Sequence, residues 1–164
     1  MTAELLVPFY AGTAVLTAVT GGVFLAFSDF LMRSLKAAQP QSGAEAMQMI
    51  NRKVYKSLFL TSFFGIGIIS AGTIALLVTE MISAGATQLS VAGMVYLAGV
   101  FAVTVVFNVP MNKKLDKMNL VAPETHEYWS HYASRWTLWN HVRSAACILS
   151  ALLFLQGAFS ISAA

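Results

Sequence analysis

Charge is what this 164-residue sequence has least of. Asp, Glu, Lys and Arg make up 10% of it and hydrophobic residues 57%, where a soluble domain carries roughly a quarter charged residues. A water-soluble fold would need polar surface that this chain does not have, and its apolar runs reach membrane-spanning length. Cysteine is equally scarce. The single thiol, Cys147, excludes an intramolecular disulfide and, inside an apolar run, reads as a small packing residue. No span carries a carboxylate or lysine near its centre, which argues against an ion-coupled pump. HExxH, CxxC and repeated ExxH patterns are missing, as are a phosphate-binding glycine loop, a nicotinamide fingerprint and a nucleophile triad. The three histidines, His126, His131 and His141, do not share one helical face. No metal site and no cofactor is therefore expected, although composition leaves a metal open. The methionines scatter at unrelated spacings and read as packing residues.

The basic residues that are present fall in two short windows. Arg33, Lys36, Arg52, Lys53 and Lys56 follow the first apolar run, and Lys113, Lys114, Lys117, Arg135 and Arg143 follow the third. This is the pattern of four spans with both basic loops in the cytoplasm and both termini on the other side. The net charge of +3 belongs to membrane orientation and headgroups, not to nucleic acid. The first run is too long for a signal-peptide core and reads as a retained span, with no transit-peptide pattern. In a bacterium the location is the inner membrane. The expected fold is all-α: one four-helix transmembrane bundle over 1–164, with spans about 5–27, 58–78, 89–109 and 142–161. Amphipathic cytoplasmic segments fill about 28–57 and 110–141.

Local signals mark the boundaries. Ala14, Ala18, Gly22 and Ala26 form a small-residue stripe that admits a neighbouring helix, and such stripes also suit a homo-oligomer. Pro40 breaks the chain, and Ser42-Gly43-Ala44-Glu45 fits a capping box opening an amphipathic helix with Met47, Ile50 and Val54 on one face. The connection 79–88 has no lysine or arginine and belongs outside. Pro110 is expected to kink or end the third span, and Pro123-Glu124 to start another helix.

This topology gathers polar groups that are far apart in sequence. Ser28 ends span one, Asn51 and Tyr55 precede span two, Asn108 and Asn112 end span three, and Asn140, His141 and Arg143 open span four. Arg143 and Asn108 sit where desolvation is costly without a partner. Snorkelling would explain Arg143 taken alone, an interhelical bond Asn108, and an N-cap Asn140. His141 has the side chain best suited to general base work near neutrality. Tyr132, Trp136, Asn140 and Arg143 line one helix face, and Trp129 extends it. An interfacial aromatic belt is the plainer reading of Trp129, and a stacking surface for a flat ligand is the sharper one.

Four segments carry a family resemblance. Gly21 to Ser28, Ala46 to Asn51, Phe107-Asn108-Val109-Pro110-Met111-Asn112 and Trp136-Thr137-Leu138-Trp139-Asn140-His141-Val142-Arg143 resemble the signatures of the anthrone-oxygenase-like family of small four-span membrane proteins. The resemblance runs through nearly the whole chain, and its Asn-x-Pro-x-Asn and Trp-Asn-His-x-Arg elements are the most specific. It implies a link to the oxidation of anthrones to anthraquinones, and the expectation placed on it here is oxygenation of a flat, lipid-soluble phenolic, anthrone-like or quinol-like molecule without a cofactor. On the motif positions, His141 is the expected base. Arg143 and Asn108 are its expected partners in stabilising an enolate, with Asn112 as a further donor. Trp136, Trp139, Asn140, Asn112, Tyr132, Ser28, Asn51 and Tyr55 are the expected substrate contacts. The alternative is a non-enzymatic membrane module binding a lipid, quinone or partner helix, in which the same cluster is a structural lock.

Overall fold

The computed structural model describes residues 3–79 and 83–164; positions 1–2, and 80–82 within the expected outer connection, lie outside the described residues. Among the described residues there is no strand. Four helices are long and apolar enough to cross a membrane: α1 (Ala3–Ala37), α3 (Leu58–Val78), α4 (Ala86–Asp116) and α5 (Pro123–Ser162). Between the first two lies the shorter α2 (Pro40–Lys53).

The helices outrun the expected spans. α5 continues without a break from Pro123, so the segment expected to be a separate amphipathic piece before span four is the first half of one 40-residue helix. Asn140 is consequently an interior helical residue, not a cap. Pro110 does not end α4. The residues before it, Thr104–Asn108, adopt a π-helical turn, which shifts the hydrogen-bond register ahead of a residue that has no amide hydrogen to donate. A second π turn interrupts α1 at Phe27–Leu31. These two wide turns lie beside the polar residues named above, and a third, Leu97–Ala102, lies nearer the middle of α4.

At α2 the expected capping box gives way to a simpler start. Pro40 is the first helical residue and Gln39 precedes it with no side-chain cap. Proline's fixed φ suits that position and its missing amide costs nothing there, so Ser42 falls inside the first turn. The buried face of α2 is Gly43, Ala44, Met47, Gln48 and Asn51, one step round from the Met47–Ile50–Val54 stripe. Gln48 Nε2 donates to the Leu115 and Met118 carbonyls at 2.9 and 3.1 Å, which satisfies acceptors left open at the end of α4. Gly43 is required by close approach. A Cβ there would run into the Leu35 carbonyl and lie 2.8 Å from the Trp129 ring.

The core is stacked along the bundle. Leu6, Tyr10, Leu89 and Phe154 fill one end. Phe24, Phe63, Ile66, Tyr96, Val100 and Cys147 fill the middle. Met32, Ala44, Met47, Leu115, Trp129, Tyr132 and Trp136 fill the end that α2 covers. Trp129 is therefore a core residue and not part of an interfacial belt. Cys147 packs its Cβ 3.1 Å from where a Gly21 side chain would begin, the close crossing of α1 and α5 expected of small residues.

Candidate functional site

At the α2 end the four spanning helices and α2 enclose a cavity of about 400 Å³. Its wall is largely apolar: Phe24 and Phe27 from α1, Met47 and Ile50 from α2, Phe59, Leu60 and Phe63 from α3, and Val109 from α4. Four polar side chains reach it from the interior, Asn51, Thr104, Asn112 and Arg143, beside the Trp136 ring. Lys53, Tyr55 and Ser57 line the same space, and Lys53 and Tyr55 are exposed and form its mouth.

Arg143 dominates the electrostatics. It is 5% exposed, and an arginine stays charged when buried. Its Nη2 donates to Asn140 Oδ1 at 2.7 Å and its Nη1 reaches Thr104 Oγ1 at 3.4 Å. The guanidinium carbon lies 4.4 Å from the Phe24 ring centre and 4.9 Å from that of Trp136, where the electron-rich faces favour a cation. Its Nε has no hydrogen-bond partner. Both ion pairs among the described residues, Arg33–Asp29 and Arg52–Asp116, lie elsewhere on the surface. The cation thus faces an apolar cavity without a counter-ion, a costly arrangement for a group that does nothing.

The surrounding polar residues hold this geometry. Asn140 Nδ2 donates to the Phe24 carbonyl at 2.6 Å and to Ser28 Oγ at 2.7 Å. Ser28 also meets Ser144 Oγ at 3.1 Å. The π turn that begins at Phe27 disturbs the local helical ladder, and the asparagine supplies a donor there. Asn140 then presents its oxygen to Arg143. Asn112 Oδ1 accepts from Tyr132 OH at 2.8 Å and from Trp136 Nε1 at 2.9 Å, which fixes the indole on the cavity wall. Asn51 is buried against the cavity with Nδ2 unpartnered.

Six expected site residues do not line this space. Ser28, Tyr132 and Asn140 are tied to it by hydrogen bonds, Tyr132 to Asn112 and Asn140 to Arg143 and Ser28. His141, one residue from the inward stripe of α5, is exposed. It lines a separate pocket with Met32, Arg33 and Lys36, because a helix turns about 100° per residue. Trp139 stacks on Phe107, ring centres 3.6 Å apart, and does not line the cavity. Asn108 is fully buried, and its Nδ2 donates to the Trp136 carbonyl at 3.3 Å while Oδ1 is left free. It ties α4 to α5 behind the cavity. The stripe Tyr132, Trp136, Asn140, Arg143 does face inward as expected. Two contributors escaped the sequence reading, Thr104 and Phe24. Thr104 stands four residues before Asn108 and eight before Asn112, and that spacing could have identified it. Phe24 lies in the Gly21 to Ser28 segment that carries the resemblance, but an apolar side chain gave no sign there that it would meet a cation.

Among the described residues no three His, Cys, Asp or Glu side chains come together as a metal site. The family model for anthrone oxygenase matches residues 52–153. No curated protein matches the chain, and no solved structure does.

Proposed function

The chain belongs to the anthrone oxygenase family, and from that premise we propose that it oxygenates a flat, lipid-soluble phenolic or anthrone-like molecule bound in the α2-covered cavity. The observation behind this reading is the buried, uncompensated guanidinium of Arg143 on an otherwise apolar wall. An apolar cavity of about 400 Å³ is in the range of small-molecule sites and suits a fused aromatic ring system. Arg143 selects for a ring oxygen that is negative, which is what a phenol or the enol form of an anthrone becomes on losing a proton.

The residues then divide the work. Trp136 and the phenylalanines hold the ring by stacking, and Asn112 holds Trp136. Arg143 Nε and the Asn51 amide offer donors to the oxyanion, an arrangement set before the charge develops. Among the described residues no imidazole or carboxylate lines the cavity, so the proton passes to water at the mouth beside Lys53 and Tyr55. The ionised methylene carbon gives up an electron to dioxygen, recombines with the superoxide so formed, and the resulting peroxide anion takes back a proton from water to become a hydroperoxide. Loss of water leaves the ketone, so one oxygen atom enters the product and the other leaves as water. His141 takes no part in this scheme. The two basic windows favour a cytoplasmic mouth with both termini outside, and in a bacterium the inner membrane.

The test is oxygen uptake by the purified protein with an anthrone, with quinone formation followed spectroscopically. Stoichiometric uptake that is lost in Arg143→Met and kept in His141→Gln supports the scheme. Absence of any turnover in wild-type protein, with no anthrone or phenolate bound in the cavity, overturns it. A second reading rests on the Asn108–Trp136 and Asn140–Phe24 bonds, which lock helices together irrespective of any ligand. In a non-enzymatic module binding a quinone or lipid, those bonds and the cavity would serve binding alone, and wild-type protein would bind without consuming oxygen.

A further inference from the structure

On the other side of the α1–α5 pair is a second pocket, of about 340 Å³. Arg33 and Lys36 enter it from α1, and Ser134, Thr137 and His141 from α5. Met32 and Ala133, both buried, form its floor. Among the described residues no acid lines it; Asp29, one turn away on α1, accepts from Arg33 Nη2 on its carboxylate at 2.9 Å and from Arg33 Nε on its carbonyl. Arg33 Nη1 takes no partner among the described residues. Lys36 Nζ has only a long contact, 3.4 Å to Ser134 Oγ. The imidazole of His141, available as an N–H donor in either charge state, has no hydrogen bond among the described residues. Ser134 and Thr137 donate their hydroxyls to the Ser130 and Ala133 carbonyls, so the free donors of this concave site are Arg33, Lys36 and His141, and it carries excess positive charge.

What lies next to it indicates the occupant. Towards the middle of the spans the same helix faces continue with Gly22 and Leu25 on α1, and with Ala145, Ile148 and Leu152 on α5. All are exposed, and a Cβ added at Gly22 would meet nothing. A shallow apolar track flanked by small residues therefore leads straight from the basic pocket into the depth of the bilayer.

We propose that this pocket binds the phosphate of an acidic membrane phospholipid, with Arg33 and Lys36 on the phosphate, His141 as a further N–H donor, and one acyl chain along the Leu25–Ala145–Ile148 track. A phosphate oxyanion matches the donors, and the track supplies what a free phosphate ion would not use. Juxtamembrane lysines and arginines attract anionic headgroups, and here two of them border a shaped pocket. The site is independent of the oxygenase reading, because it shares no lining residue with the Arg143 cavity.

Native mass spectrometry of the full chain, released from detergent after incubation with phosphatidylglycerol or phosphatidylcholine, tests it. Wild-type protein is expected to retain one phosphatidylglycerol and much less phosphatidylcholine. Arg33→Gln/Lys36→Gln should lose phosphatidylglycerol retention by about tenfold or more, two headgroup cations being removed, while Lys117→Gln, an exposed basic control, keeps it. Ala145→Trp should also weaken retention, since it fills the track and leaves the basic residues in place. Equal retention of both lipids, or undiminished phosphatidylglycerol retention in both the double variant and Ala145→Trp, overturns the proposal. Displacement of the lipid by millimolar inorganic phosphate would overturn the lipid as occupant and leave a phosphate ion in its place.

Discussion

Replacing Arg143 with methionine separates the structural and functional uses of that side chain. In the folded protein the guanidinium gains one short charge-assisted hydrogen bond, to Asn140 at 2.7 Å, worth about 1.5–3 kcal/mol, and a long, weak one to Thr104 at 3.4 Å. Its contacts with the Phe24 and Trp136 rings add about 1–2 kcal/mol. Against this stands the desolvation of a cation that is 5% exposed and has no counter-ion, a cost of several kcal/mol. These contributions nearly cancel. Methionine occupies similar space and has no charge to desolvate, so Arg143→Met should change thermal stability in detergent little, by no more than about 1–2 kcal/mol in either direction. Turnover should respond very differently. Loss of a preorganised oxyanion donor in an apolar cavity costs about 10²–10³ in rate. Arg143→Lys keeps the charge but not the planar fork between two rings, and should fall between the two proteins. Oxygen consumption with anthrone and melting in the same detergent are measured side by side. If stability and turnover fall by matching free energies, Arg143 is a structural residue and the reasoning fails. Full turnover in a folded Arg143→Met protein refutes it directly.

Other substitutions read out the remaining geometry. Asn140→Leu deprives the Phe24 carbonyl, Ser28 and Arg143 of a partner at once, and should lower stability by about 2–4 kcal/mol in a detergent unfolding titration. Gly43→Ala drives a methyl group against the Leu35 carbonyl and the Trp129 ring, and should cost about 1–3 kcal/mol, detectable as earlier proteolysis within α2. His141→Gln should leave anthrone oxidation within about twofold, as surface substitutions away from a site usually do; a hundredfold loss would return the histidine to the chemistry.

Several features could be read without the structure because they depend on composition and period. Scarce charge and four long apolar runs require helices that satisfy their own backbone in lipid, and α1, α3, α4 and α5 are those helices. The inward stripe Tyr132–Trp136–Asn140–Arg143 follows from spacings of four, four and three, and all four residues are buried. The helix ends were harder to place. The proline rule suggested that Pro110 ends a span, yet a π turn absorbed it and α4 runs to Asp116. Asparagine's preference for caps suggested that Asn140 begins a helix, yet α5 began 17 positions earlier, at Pro123.

The membrane class, the number of spanning helices, the family and the end of the bundle where the polar motifs gather were all legible in the order of the residues. Hydropathy, helical period and motif spacing are local properties and need no neighbour to be expressed. Only the tertiary structure decided which of those motif residues share a space. Asn140, His141, Val142 and Arg143 are consecutive, but on a helix they point in different directions. The packing of α1 against α5 turns Arg143 to the cavity, buries Asn140 beside it, and leaves His141 outside with Arg33 and Lys36. The same packing brought Phe24 and Thr104 to the guanidinium and left that guanidinium without an acid. A missing counter-ion is a relation among groups distant in sequence, so it exists only once the helices are assembled.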